Sequence, residues 1–158
     1  MTRWHRSLAL LDPVARICLA ALFVNSGLSK FGDLAGVAGV IASKGFPLPS
    51  LLAPIAALVE VVAGAALALG VRARIAAAAL LAYTLLVTPL FHGFWAFDGP
   101  ERAQQYMQFM KNLWAAGGLA LVVRFGAPAF GLDALIGTRT AHGPARPAPA
   151  ATAEPGTS

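Results

Sequence analysis

The chain has 158 residues, of which 58% are hydrophobic and only 12% charged, with a mean hydropathy of +0.68. Soluble domains run near 45–50% apolar and about 25% charged, so an ordinary water-soluble domain is excluded and most of the chain is expected to be solvated by lipid. A net charge of +5 would raise the question of nucleic acid, but Arg3, Arg6, Arg72, Arg74 and Arg124 stand singly at the edges of apolar segments. That is the placement of charges that orient a membrane protein, and it argues against nucleic acid as a partner.

Four apolar runs are long enough to cross a hydrocarbon core, which takes roughly 20 helical residues. They lie at 14–31, 51–69, 74–92 and 106–125. The expectation is an all-α membrane protein, a four-transmembrane-helix bundle over residues 14–125, preceded by a short segment 1–13. The first run follows Arg3 and Arg6 as a signal peptide would. It continues into Asn25-Ser26-Gly27-Leu28-Ser29-Lys30 without a small-residue cleavage site, so an uncleaved first span is the better reading. Residues 33–44 contain glycines and then meet Phe46-Pro47-Leu48-Pro49, which suggests a short interfacial helix stopped by proline. Gly70-Val71-Arg72-Ala73 is a tight turn between the second and third runs. The third run ends in Phe91-His92-Gly93-Phe94-Trp95-Ala96-Phe97, which has the character of an interfacial aromatic belt. Residues 126–138 form a juxtamembrane segment, and the Pro/Ala-rich tail 139–158 is expected to be disordered because it cannot bury enough surface to fold.

Lys and Arg are unevenly divided between the two sides of such a bundle. Arg3, Arg6, Arg16, Arg72, Arg74, Arg124, Arg139 and Arg146 fall on one side, and Lys30, Lys44, Arg102 and Lys111 on the other. The positive-inside rule then places both termini in the cytoplasm.

The polar residues inside the runs carry the chemistry. An acid at mid-membrane costs about 2.5–3.5 kcal/mol even on the lenient insertion scale, and Glu60 is such an acid. At 100° per residue, Ala53, Ala56, Ala57 and Gly64 share its face while Leu51, Ile55, Leu58, Val62 and Leu69 fall opposite. Glu60 is therefore expected to point into the bundle and the leucines into lipid. Asn25, Ser26, Ser29 and Lys30 gather near the end of the first run, with Arg16 at its other end. Thr84, Thr88 and His92 repeat every fourth residue in the third, and Gln105, Gln108 and Asn112 form a stripe in the fourth beside Lys111. Because successive spans alternate in direction, all of these except Arg16 come to one polar pocket between mid-membrane and the outer surface. Bland readings stand beside this one. Ser26 and Thr84 can bond back to their own helices, Lys30 and Lys111 can snorkel to the interface, and His92 can be one more interfacial ring. Pro89 should kink the third span at the level of the pocket.

Redox chemistry is constrained by what the chain carries. Cys18 is the only cysteine and the histidines are His5, His92 and His142, of which only His92 can lie at the membrane. There is no dithiol, no pair of membrane histidines for a haem, and no metal site to expect. Any redox role must use a bound cofactor or a partner protein.

The run from Arg16 through Asn25-Ser-Gly27-Leu-Ser-Lys30-Phe, a Gly-Phe-Pro, an apolar helix with Glu60 closing at Leu69-Gly70, a basic turn, a third helix ending at His92, and Asn112 in the fourth resembles the DoxX family over roughly residues 10–125. The resemblance implies a small four-helix membrane protein of bacteria or archaea, associated with thiosulfate:quinone oxidoreductase and terminal-oxidase systems. It implies Lys30, Glu60, His92 and Asn112 as the family's polar positions. A related eukaryotic family of similar shape works as a cargo receptor.

The leading expectation is a membrane subunit of a redox system in the bacterial inner membrane, embedded in the lipid bilayer and working with a redox partner protein. It would hold a quinone-sized ligand, with Lys30, Glu60 and His92 doing the chemistry and Asn25, Thr88 and Asn112 binding the ring. Two alternatives compete with it. One is a non-catalytic scaffold or receptor that binds a peptide, a small molecule or a partner protein in the pocket. The other is a proton-coupled transporter, disfavoured because the chain shows no internal repeat.

Overall fold

The computed structural model describes residues 10–127 together with 131 and 132. The expected N-terminal segment up to residue 9, most of 126–138 and the whole tail 139–158 lie outside the described residues.

Among the described residues the fold is all-helical: α1 (Leu11–Gly32), α2 (Leu34–Ser43), α3 (Pro49–Leu69), α4 (Ala73–Phe91) and α5 (Gly99–Phe125), with one 3-10 turn at Phe94–Ala96. Three stretches, Leu11–Gly32, Pro49–Leu69 and Ala73–Ala96, are long and apolar enough to span a membrane. Helix α5 is longer than any of them at 27 residues. Its first half carries Gln105, Gln108, Lys111 and Asn112, which lowers its hydropathy, and it does not count among the three on composition alone.

Local chemistry sets the boundaries. Asp33 ends α1 and starts α2, its carboxylate accepting the Gly36 N–H at 2.9 Å as an N-cap side chain does. Pro49 sits in the first turn of α3, where its missing N–H costs nothing. That helix stops at Gly70, which takes the left-handed conformation (φ 68°). There the Val71 N–H reaches the Ala66 carbonyl and the Gly70 N–H the Leu67 carbonyl, a Schellman closure. Arg72, also left-handed at φ 43°, completes the turn into α4.

The helices pack in the ring order α1, α3, α4, α5, with α2 laid against α3. Glycines bring α1 and α3 together. A Cβ on Gly27 would come within 2.7 Å of Val61 Cγ2 and 2.8 Å of the Ala57 carbonyl, and one on Gly64 within 2.9 Å of Val24 Cγ2. This close approach of small residues is what lets membrane helices gain packing energy without a hydrophobic driving force. The apolar core, formed by Ala20, Phe23, Leu67, Ala77, Leu80 and Leu119 among others, fills one half of the bundle.

At that end Arg16 is fully buried, 1% exposed, with Asp12 Oδ2 3.7 Å from its Nε. Its guanidinium packs against Gly70 in the turn between α3 and α4. Arg74 clamps the end of α5, donating through Nε to the Val123 carbonyl at 2.9 Å and through Nη2 to that of Arg124. A basic side chain on the last carbonyls of a helix also meets the negative end of its dipole. The outer surface is a belt of exposed apolar side chains, among them Leu51, Leu58, Val62, Leu85, Leu86 and Leu121, far more than a water-soluble monomer displays.

Candidate functional site

The other half of the bundle is hollow. A cavity of about 650 Å³ lies between the later parts of α1 and α4 and the earlier parts of α3 and α5, with α2 and Phe46 along one side. Antiparallel packing creates it, because it stacks the second halves of two helices beside the first halves of the others. Its volume falls in the range of roughly 300–1,000 Å³ typical of small-molecule sites. The walls are mainly aliphatic and aromatic, and Ile55, Leu86 and Leu90 both line the cavity and remain exposed. With Val40 of α2, which is likewise exposed, they put the mouth of the cavity on the apolar flank where α2, α3 and α4 meet the surface.

The polar groups converge from all four long helices. Glu60, 4% exposed, projects from the small-residue face of α3, with Ala53, Ala57 and Gly64 buried beside it. Lys30 of α1 meets it with Nζ 3.0 Å from Oε1 and 2.8 Å from Oε2, and donates to Ser26 Oγ at 2.7 Å. The approach of α1 to α3 at Gly27 places the two side chains in reach. The Tyr83 hydroxyl, from α4, lies near enough to the same carboxylate to interact with it. His92 caps the end of α4 and pairs through Nδ1 with Gln105 Oε1 at 2.9 Å. Asn112 Nδ2 donates to Thr88 Oγ1 at 3.1 Å, and Thr88 Oγ1 in turn donates to the Thr84 carbonyl at 2.6 Å. Lys111 Nζ donates to Gln108 Oε1 at 2.5 Å. Phe46 stacks on Phe91 in the cavity wall, and Phe94, following α4, packs edge-on against Trp95, Tyr106 and Phe109.

The sequence-derived candidates divide clearly. Lys30, Glu60, His92 and Asn112 all line the cavity. Thr88 lies just behind the wall, buried and tying Asn112 to α4. Asn25 does not reach the cavity: it is exposed on α1, as is Ser29. At 100° per residue it sits roughly 160° around the helix from the Phe23, Gly27 and Lys30 face, so the polar arc read from the sequence was too broad. The local bonding expected of two hydroxyls also differs. Ser26 accepts from Lys30, and the buried Thr84 Oγ1 has no hydrogen-bond partner among the described residues. Pro89 lies inside α4, which runs on to Phe91. Tyr83 was not anticipated, although a tyrosine hydroxyl within an apolar span needs a partner, and that was a usable signal. No cluster of three His, Cys, Asp or Glu side chains suited to a metal occurs among the described residues.

What the arrangement can do chemically is bind an amphipathic molecule with its polar end at Lys30, Glu60, His92 and Asn112 and its apolar part toward the mouth. Glu60 and Tyr83 add groups able to hold and pass a proton.

The family model DoxX matches residues 11–93, the part of the chain that carries Lys30, Glu60 and His92; Gln105, Lys111 and Asn112 lie beyond it. The chain is 32% identical over 120 residues to Inner membrane protein YphA of Escherichia coli (strain K12), covering 76% of this chain and 86% of that one. It is also 32% identical over 123 residues to Inner membrane protein YqjF of the same organism, covering 78% and 89%. No solved structure matches the chain. Taken with the three candidate spans and the lipid-facing surface, these likenesses establish a multi-pass protein of the bacterial inner membrane that belongs to the DoxX family.

Proposed function

We propose that this chain is the membrane-embedded, ligand-binding subunit of a redox system, and that its cavity takes a quinone-class ring from the bilayer. The observation that carries the reading is the convergence of the Lys30–Glu60 pair, His92 and Asn112 in one cavity of about 650 Å³ whose mouth is apolar. A quinone supplies two ring carbonyls to be hydrogen-bonded and takes up protons when it is reduced. Lys30 donates to one of those oxygens, and His92, whose Nδ1–H goes to Gln105 Oε1, offers Nε2 to the other, as a donor when its ring carries both protons and as an acceptor of the reduced ring's O–H when it is neutral. Glu60, with Tyr83 beside it, accepts or delivers the proton. Electrons come from a partner protein, since the chain has a single cysteine and no dithiol.

Helix α5 is the fourth span, both termini are cytoplasmic, and the cavity belongs to the periplasmic half. The eight Lys and Arg on the Arg72 side against four on the Lys30 side support this orientation, as does the antiparallel packing that puts Arg16, Arg74 and Arg124 at one end.

The test is extraction in mild detergent followed by solvent analysis of the purified protein. Quinone should be retained near one per chain by the parent and lost in His92→Ala. Quinone at background level in the parent would end the redox reading. One observation favours the alternative of a non-catalytic scaffold: Asn25 and Ser29 turn a polar strip outward on α1, and polar side chains facing lipid commonly bond to a neighbouring helix. Retention of a protein partner in place of quinone would support it.

A further inference from the structure

The polar end of the cavity is not electrically neutral. Glu60 gives both its oxygens to Lys30, at 3.0 and 2.8 Å. Lys111 reaches the same space from α5 and bonds Gln108, one turn back on its own helix. Among the described residues no carboxylate lies within ion-pair distance of it. Glu60 acts on Lys111 only at longer range, against the repulsion of Lys30. The charged neighbours of His92 are Lys111, Lys30 and Lys44, all cations. Two ammonium groups against one carboxylate leave a positive charge in the cavity, and protonation of Glu60 would raise it further. With both lysines protonated, neither state of Glu60 balances the site.

An uncompensated cation beside hydrocarbon is costly. Three cheaper arrangements exist: the lysine reaches water, it gives up its proton, or an anion enters. Lys111 is half-buried and held by Gln108 rather than extended outward. In the wall of the same cavity, the buried Thr84 Oγ1 has no hydrogen-bond partner among the described residues. A hydroxyl without a hydrogen bond and an ammonium without a carboxylate at ion-pair distance thus line one cavity, and its mouth at Ile55, Leu86 and Leu90 opens onto apolar surface.

The geometry points to an anionic occupant: a membrane-soluble amphiphile with one acidic group, held at Lys111 and, when its ring carries both protons, at His92, whose apolar part lies toward the mouth. This rests on the quinone-class reading and sharpens it, because the ring it selects is an acidic one with an ionised hydroxyl. A fatty-acid carboxylate presents the same chemistry from another source.

Both sources can be compared by calorimetric titration of the detergent-solubilised full chain at neutral pH. The probes are an alkylated hydroxynaphthoquinone, its uncharged methyl ether, palmitate and hexadecanol. A charge-assisted hydrogen bond made by only one member of a pair corresponds to about tenfold in affinity. The parent should bind the hydroxynaphthoquinone about tenfold more tightly than the ether. Lys111→Met should bring that ratio close to unity, while Lys111→Arg, which keeps the charge, should preserve it. If the methionine variant fails to fold, the parent ratio and the arginine variant still decide. Equal binding of the two naphthoquinones by the parent would overturn the anionic preference and leave the quinone-class reading standing. Preference for palmitate over hexadecanol, with neither naphthoquinone bound, would keep the anion site and end the quinone reading. Binding of none of the four would overturn both.

Discussion

Lys30→Ala leaves Glu60, 4% exposed, without the ammonium that meets both its oxygens. Removing one partner of a buried ion pair costs about 3–5 kcal/mol. Here there is a ceiling, because the stranded carboxylate can take a proton, and protonating an ordinary glutamate at neutral pH costs about 4 kcal/mol. The lysine side chain is 24% exposed, so part of the pair is already screened, and a loss of about 3 kcal/mol is expected. Glu60→Gln is milder, about 1–2 kcal/mol, because the amide oxygen still accepts from Lys30, which also keeps Ser26. In the double variant no charge is stranded, and it should be more stable than Lys30→Ala alone by about 1–2 kcal/mol. Thermal melts of the parent, both single variants and the double variant in detergent give the coupling directly. Additive effects, or a Lys30→Ala protein as stable as the parent, would refute the pairing of these two residues.

Gly27→Val should destabilise the bundle by about 1–3 kcal/mol, since even a Cβ there would meet Val61 and the Ala57 carbonyl. A melting curve unchanged from the parent would mean that α1 and α3 are not in close contact. Gly70→Ala should cost about 1–2 kcal/mol in the same assay, because the position is left-handed and its open side is occupied by the Arg16 guanidinium. For topology, a reporter active only in the periplasm, such as alkaline phosphatase, should be active when fused after Asp98 and silent after Arg72. The reverse pattern would invert the bundle and move the cavity to the cytoplasmic half.

Much of the fold was legible because lipid imposes a simple rule on helices. The division of α3 into a small-residue face and a bulky face follows from spacing alone, and the structure buries Ala53, Ala57 and Gly64 with Glu60 while leaving Leu51, Ile55, Leu58, Val62 and Leu69 exposed. The meeting of Lys30 with Glu60 was legible for the same reason: each ends or centres a polar face at matching depth. What periodicity did not resolve was rotation within an arc. Asn25 and Ser26 are neighbours in sequence and face opposite surroundings, since one residue turns the helix by about 100° and Asn25 is carried to the lipid side. The cavity itself was also beyond the sequence. A hollow depends on how four helices splay, and the aliphatic residues that wall it, such as Leu22 and Val87, have the same pattern as core residues. The terminal clamp of Arg74 on the end of α5 was hidden too, because a basic residue at a helix edge reads equally well as an orienting charge.

A cavity that receives a ring-bearing ligand from the bilayer should be found by photolabelling with a reactive quinone followed by peptide mapping. Adducts should fall on the stretches that contain Ser26 and Lys30, Tyr83 to His92, and Gln105 to Asn112, all of which line the cavity, and unlabelled quinone should suppress them. Adducts confined to the exposed outer faces around Leu58, Val62 and Leu121, undiminished by competitor, would contradict such binding.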